Sequence, residues 1–476
     1  WRRCGIKLRV LLVGINSKYI HTSLGVRCVA QYARGRGYGV EVLEESINTP
    51  VLQVLDQLMA QDWDVYGFSV HIWSRSYVER LVALLRRVRP NVKIVLGGPE
   101  AGQVKGRREL YDYLIEGDGE ERFCEVLQGL ALPDGEQFRQ DFPYPDIEQV
   151  KAQHKIFYYE ASRGCPFRCS YCLSSVGHRV RHKPLSQVLG DLEKFVVADV
   201  DLVKFVDRTF NLDESFYLPI MRFLAGADCH TTFHFEIKAD LLGKEVLDFL
   251  AIVPKGRFQF EVGIQSTHPE TLAAIHRSND WEKLRDNCGR ILSYGNIHLH
   301  TDLIAGLPYE GLQQWRKSFN DVYVIGAPML QLGFLKVLPG TEMAQRAQEY
   351  GLVYMPEPPY EILATRWMSY GDLQFLRKFD KIFDVVHNGG HFPNYLSALV
   401  QEFAEPYEFY KFLTDNWTLE GNIPFNAKTL ARGLFQIFGN RHVDLLQQDI
   451  YQNIHNWKPE WLDWSNYTRR RKGVGQ

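Results

Sequence analysis

The run Cys165-Pro-Phe-Arg-Cys169-Ser-Tyr-Cys172, entered from Ile156-Phe-Tyr-Tyr-Glu-Ala-Ser-Arg-Gly164, decides how the rest of the chain reads. The entering segment is aromatic, carries the β-branched Ile156 and ends on glycine, which predicts a strand feeding a loop. The loop then places three thiols at spacings suited to a single iron-sulfur cluster. A [4Fe-4S] cluster has one iron more than three cysteines can hold, and an open metal position marks chemistry rather than structure. A small molecule is expected there. Zinc sites favour paired CxxC ligands and a complete quartet, which the neighbouring His178 and His182 do not supply.

Upstream, from Leu8 to about Leu132, short apolar runs alternate with helical patterns. Leu8–Ile15, Val40–Leu43, Val65–Val70, Val92–Gly98 and Tyr113–Gly117, separated by helices such as Tyr77–Val88, predict a doubly wound, flavodoxin-like parallel sheet. Ligands of such sheets bind beyond the carboxyl ends of the strands, near the switch point. Those ends carry Gly14-Ile-Asn16-Ser-Lys-Tyr-Ile-His21, Ser69-Val-His71, Gly97-Gly98-Pro99-Glu100 and Gly117-Asp-Gly119-Glu120. Glycines there let backbone approach a bulky ligand.

Downstream, strands recur from Lys155 to Thr341: Leu202–Asp207, Phe233–Glu236, Phe258–Ile264, His298–Ile304 and Leu330–Val337 follow the cysteine strand. The segment is too short for the roughly 250 residues of a full eight-unit barrel, so a partial (β/α)6 barrel is expected, with chemistry at its strand ends. Polar residues there are Asp207-Arg-Thr-Phe-Asn211, Glu236 with Asp240, Glu261 with Gln265-Ser266, Asp302 and Lys336. The expected organisation is an N-terminal α/β domain over 1–133, a linker over 134–154, the barrel over 155–341, and a mainly helical, aromatic-rich domain over 342–476 that caps the barrel mouth.

A hydrophobic content of 45% and a formal net charge of −2 fit a large globular core and give no global pull toward nucleic acid or an anionic membrane. The basic Arg469-Arg-Arg-Lys472 reads as a solvated tail. Eight cysteines, only three of them clustered, are not a disulfide framework, and an oxygen-sensitive cluster points to a reducing, cytoplasmic setting. No stretch has the length of a transmembrane helix, and the residues before Leu8 lack the apolar core of a signal peptide.

These residues resemble the radical S-adenosylmethionine (SAM) superfamily, whose signature is CxxxCxxC with an aromatic before the last cysteine, here Tyr171. The resemblance implies that Cys165, Cys169 and Cys172 ligate the cluster, that its open iron chelates SAM, and that reductive cleavage yields a 5′-deoxyadenosyl radical. It implies SAM contacts from Tyr171, Asp207, Glu236, Glu261, Gln265 and Gly306. Asp207 stands at the amino-group position, Glu236 and Gln265 at the ribose and carboxylate positions, and Gly306-Leu-Pro308 at the adenine edge.

The N-terminal turns resemble the cobalamin-binding domain that precedes the barrel in one large subclass, which implies cobalamin contacts from Asn16, Ser69, His71, Gly97, Gly98, Pro99, Gly117, Gly119 and Glu120. The DxHxxG motif of mutases is absent, and His21 lacks the paired aspartate, so no protein histidine is expected beneath cobalt. The whole chain is similar to a group of bacterial cobalamin-type radical SAM proteins with a C-terminal domain of unknown function.

What this implies is methylation of an unactivated carbon on a small-molecule or peptide substrate, with an electron donor such as flavodoxin or ferredoxin and no nucleic-acid or membrane partner. A cyclase or rearrangement enzyme without methyl transfer, and a non-catalytic cofactor-binding sensor, are the alternative readings. A tRNA-modifying methylthiotransferase would carry a second cysteine set, which Cys28 and Cys124 do not resemble.

Overall fold

The computed structural model describes residues 8–130, 142–174, 179–417 and 426–464; His178, residues 134–141 of the expected linker and the basic tail lie outside the described residues. In the N-terminal domain β1 (Val10–Asn16), β2 (Val40–Ser46), β3 (Val65–Ser69), β4 (Lys93–Gly97) and β5 (Tyr113–Leu114) form one parallel sheet in the order β2-β1-β3-β4-β5. β1 is buried along its whole length, as a strand covered on both faces must be. Its alternation sends Leu11, Val13 and Ile15 into one core and Val10 and Leu12 into the other. The strand order reverses between β1 and β3, so the crevice beyond their carboxyl ends is where this fold receives ligands.

The cysteine strand β6 (Phe157–Tyr159) leads into a short antiparallel pair, β7 (Ser162–Arg163) with β8 (Arg181–His182), which closes the cysteine loop at its base. β9 (Leu202–Phe205), β10 (Thr232–Ile237), β11 (Phe258–Gln265), β12 (His298–Ala305) and β13 (Met329–Phe334) complete a six-stranded parallel sheet with β6, in the order β13-β12-β11-β10-β9-β6. Phe233, Phe235, Phe258 and Phe260 join the hydrophobic core. The alternate positions carry His234, Glu236, Glu261, His300 and Asp302, where an ordinary barrel is filled by branched apolar side chains. That polar lining leaves the inner face for ligands rather than for packing.

The expected linker is not a free tether over its described part. Ile147–Ala152 is helical, and Tyr144 is buried with its hydroxyl accepting from Tyr158 N–H (2.8 Å) and donating to the Tyr158 carbonyl (2.9 Å). Asp146 pairs with Arg27 at 2.8 Å, and Arg27 also holds the buried Glu44 at 2.8 Å. Ile156 N–H donates to the Ile20 carbonyl at 2.7 Å, so the two domains are stitched together on both sides of Tyr144.

After β13 comes a small hairpin, β14 (Val353–Tyr354) with β15 (Ile362–Ala364), and then helices, as the composition predicts. The expected cap over the barrel mouth is limited to this hairpin region, where Lys336 bridges Glu361 and the Tyr360 hydroxyl joins Arg75 (2.7 Å) to Glu100 (2.9 Å). The helical mass instead packs sideways. Phe379, Phe383, Tyr407 and Tyr410 close on Phe319 of the barrel helix Leu312–Tyr323. No helix among the described residues is long and apolar enough to cross a membrane.

Candidate functional site

The cysteine loop opens on Gly164, whose φ of +103° and whose absent Cβ, which would fall 2.4 Å from the Arg179 carbonyl oxygen, admit no other residue without strain. Cys165, Cys169 and Cys172 line one cavity of about 190 Å³ together with Tyr171, Arg208, Glu236, Glu261, Gln265, Arg277 and Asp302. Thr209 Oγ1 lies 3.8 Å from Cys165 Sγ, and an Arg277 amino nitrogen 3.8 Å from Cys169 Sγ. Arg277 thus sets a positive charge beside the thiols, while burial pushes the Cys165 thiol up. Three thiols with a cation beside them and no fourth thiol lining the cavity fit a three-cysteine cluster with one open iron.

Of the residues expected to meet SAM, Tyr171, Glu236, Glu261 and Gln265 are brought to this cavity. Gln265 sits at a break in the β11–β12 register with φ of +73°, and its side chain folds back over Gly263, where a Cβ would lie 2.4 Å from its amide nitrogen. A left-handed non-glycine residue at a strand irregularity is the kind of strain that collects at functional sites. Burial pushes the Glu236 carboxyl up to about 7, with Arg208 at 4.0 Å pulling the other way.

Two of the expected SAM contacts are not among the residues that line this cavity. Asp207 does not line the cavity: its buried carboxylate accepts from Ala161 N–H (3.0 Å) and from both the N–H and the hydroxyl of Ser162 (2.6 Å each), fixing the exit of β6 into the cysteine loop. Gly306 is also outside. Its φ of +85° presses it on Ile362, 2.7 Å from where a Cβ would stand, so it serves the junction with the C-terminal hairpin.

The N-terminal turns line two further cavities. One, of about 310 Å³, takes Ser69, His71, Gly97, Gly98, Pro99, Gly117, Gly119 and Glu120, with Gly25 and Gly67 in the same wall. At Gly98, φ is +97° and a Cβ would stand 2.7 Å from the Val70 carbonyl, so the slot beyond β3 and β4 depends on bare backbone. The second, of about 590 Å³, lies between the domains and is lined by Asn16, His21, Trp73 and Tyr158 as well as Arg208 and Lys336 of the barrel. His71 and Pro99 line both. A narrow glycine-walled slot beside a wide inter-domain space fits a ligand with a slim tail and a broad body, as cobalamin is.

Some expected contacts do structural work within these cavities. The Asn16 amide donates to the His21 carbonyl (2.9 Å) and accepts from Ser23 (2.8 Å), shaping the turn after β1. Glu120 pairs with Arg163 at 2.8 Å, linking the fifth-strand turn to the cysteine loop. His71 hydrogen-bonds Ser69 (2.9 Å) and stacks on Trp73 with centroids 4.5 Å apart, and burial lowers its pKa to about 4. His21 Nδ1 meets the Tyr158 hydroxyl at 2.7 Å.

Sequence reading missed Arg163, Arg277, Tyr158 and Trp73 as site residues. Arg163, Arg277 and Tyr158 act through partners far away in the chain, Trp73 through a ring stack on His71, and none stands in a motif. Arg208, noticed only as the neighbour of Asp207, is the one residue among those described that lines both the cluster cavity and the inter-domain cavity.

Family models match along the chain in the order of its domains: the B12 binding domain over 10–127, the radical SAM superfamily over 159–322, and a protein of unknown function, DUF4080, over 348–462. The cobalamin-dependent radical SAM methyltransferase TokK of Streptomyces tokunonensis is 24% identical over 364 residues, covering 65% of this chain and 52% of its own length. The 2-(S-pantetheinyl)-carbapenam-3-carboxylate methyltransferase of Streptantibioticus cattleyicolor is 24% identical over 353 residues, covering 63% and 51%. The chain therefore spans about half the length of the curated relatives it matches. The solved structure of the radical SAM methyltransferase TsrM from Kitasatospora setae, with cobalamin and a [4Fe-4S] cluster bound, superposes with a TM-score of 0.62 over 99% of this chain and 100% of its own, at 15% identity, a likeness of fold.

Along its length the chain thus carries, in order, segments that match the B12 binding domain, the radical SAM superfamily and DUF4080, on a fold like that of a solved cobalamin- and cluster-bound radical SAM methyltransferase.

Proposed function

We propose that this protein is a cobalamin-dependent radical SAM methyltransferase that methylates an unactivated carbon of a small-molecule substrate, with a flavodoxin- or ferredoxin-type electron donor. The observation that carries this reading is Arg208, which joins the wall of the cysteine cavity to the wall of the inter-domain cavity, so that the two cofactor spaces meet at one residue. Bound there, the cluster and SAM supply a radical that takes hydrogen from carbon, and cobalamin supplies the methyl group. The cofactors carry that chemistry, and the chain's part is to place and seclude them.

Gly164, Asp207 and the β7–β8 pair hold the cysteine loop, while Arg277 keeps positive charge beside the thiols. Glu236 and Gln265 present acceptors to the hydroxyls and charged groups of SAM. Gly97 and Gly98 open the slot for the nucleotide tail, and Trp73, Tyr158 and Lys336 wall off the inter-domain space from water.

The test is anaerobic incubation of reduced, reconstituted protein with cobalamin and SAM labelled with deuterium in its methyl group. Label moves onto cobalamin on this reading. Unlabelled cobalamin with accumulating 5′-deoxyadenosine would instead assign a cyclase or rearrangement.

A further inference from the structure

We propose that the barrel interior holds a second metal site, independent of the cluster, in which His234, Glu261 and His300 bind a divalent first-row cation of the Zn²⁺ type. The three residues come from adjacent strands: Glu261 on β11 is in register with His300 on β12, and His234 lies one inward-facing position before Glu236, the register partner of Glu261 on β10. One donor atom from each lies within 4.8 Å of the others, and His234 Nε2 is 3.3 Å from Glu261 Oε2. Nitrogen and oxygen donors each sit about 2.0–2.2 Å from zinc, so two donors on one ion are roughly 3–4 Å apart. The closest pair already meets that spacing, and side-chain rotation brings in the third.

His234 is the independent sign that something is bound. It is 3% exposed, yet Nδ1 has no hydrogen-bond partner and Nε2 only the poorly aligned Glu261 carboxylate at 3.3 Å. Buried polar groups are nearly always partnered, and an imidazole aimed at a carboxylate and a second imidazole finds its partner in a cation. The surroundings have what a metal site requires beyond its ligands. The Asp302 carboxyl stands beside Glu261 as an outer neighbour of that ligand. His298 is exposed at the start of β12, the end of that strand away from the cysteines, and lies edge-on to His300 at 4.7 Å.

Lys204, in register with His234, brings an opposing charge, which acts on the Glu261 carboxylate as well. His234 and His300 do not line the cluster cavity, whereas Glu261 does. The ion would therefore brace three strands one layer beneath the SAM pocket and fix one of its walls.

The experiment uses the full chain carrying Cys165→Ala, Cys169→Ala and Cys172→Ala, so that the cluster thiols cannot take the probe, and repeats it on cluster-reconstituted wild type. Protein stripped with chelator is given ZnCl₂, passed through gel filtration, and its zinc counted by mass spectrometry. About one zinc per chain is expected, with a zinc-dependent rise in melting temperature. Adding His234→Ala or His300→Ala should lower retained zinc at least tenfold and abolish the rise. Glu261→Gln, which keeps the side chain's size, should lose zinc with an unchanged far-ultraviolet circular dichroism spectrum, separating ligand loss from misfolding. Folded parent protein that retains no zinc, or zinc retained equally in the histidine or glutamine variants, overturns the proposal.

Discussion

Glu236 is the residue whose charge state the site controls most visibly. Burial raises its carboxyl from 4.5 to about 7, against the pull of Arg208. The folded protein therefore binds a proton that the unfolded chain has released between about pH 4.5 and 7, so this group's contribution to stability is lost as pH rises through that window. Urea midpoints should fall between pH 5 and 7 less steeply in Glu236→Gln than in wild type; equal slopes would remove Glu236 as the cause. SAM affinity should rise over the same interval in wild type, as the carboxylate forms, and stay flat in the variant. Beneath the corrin, the absent DxHxxG motif and the tie of His21 Nδ1 to Tyr158 predict a Co(II) paramagnetic resonance spectrum without nitrogen splitting. Nitrogen splitting that vanishes in His21→Ala would place that histidine on cobalt.

Among the elements, the β3 and β4 turns and the free edge of β13 depend on single residues. Gly98→Ala forces a side chain into a left-handed backbone and against the Val70 carbonyl. The conformational cost alone is about 1–2 kcal/mol of stability, and the backbone shift that relieves it should weaken cobalamin retention in equilibrium binding. At the barrel's edge, the Asn388 amide accepts from Leu330 N–H (3.0 Å) and donates to its carbonyl (3.1 Å), standing in for a seventh strand. Asn388→Ala should cost roughly 1–3 kcal/mol in denaturant unfolding, since both backbone groups lose their partner.

Much of this was legible in the chain. Local alternation and glycine-ended apolar runs place all five strands of the first sheet and all six of the second, because those signals lie within a few residues of one another. The turns after β3, β4 and β5 were legible for the same reason. What escaped was set by tertiary contact: that Asp207 turns away to Ala161 and Ser162, that Gly306 meets Ile362, and that Tyr144 pins a segment that reads as a linker. No local pattern encodes a partner 46 residues away, or one in another domain.

At the scale of the whole molecule, function on this account needs the two cofactor domains held face to face. Tyr144 is the pin, with Thr22, Arg27 and Tyr158 around it. Tyr144→Phe strips the hydroxyl from this junction and should lower stability by roughly 1–3 kcal/mol, with cobalamin released at lower denaturant than the loss of helix signal. An unchanged, single transition would mean that the junction does not hold the domains. Among the described residues the two cavities assigned to the cofactors meet only at Arg208, and the proposed chemistry depends on that separation. Its most direct test is the iron and cobalt content of protein reconstituted with iron, sulfide and hydroxocobalamin, measured side by side in wild type, the triple cysteine variant and Gly98→Ala. Wild type should hold about four irons and one cobalt, the cysteine variant cobalt without iron, and Gly98→Ala iron with depleted cobalt. Iron retained without the three cysteines, or cobalt unaffected by Gly98→Ala, would contradict it.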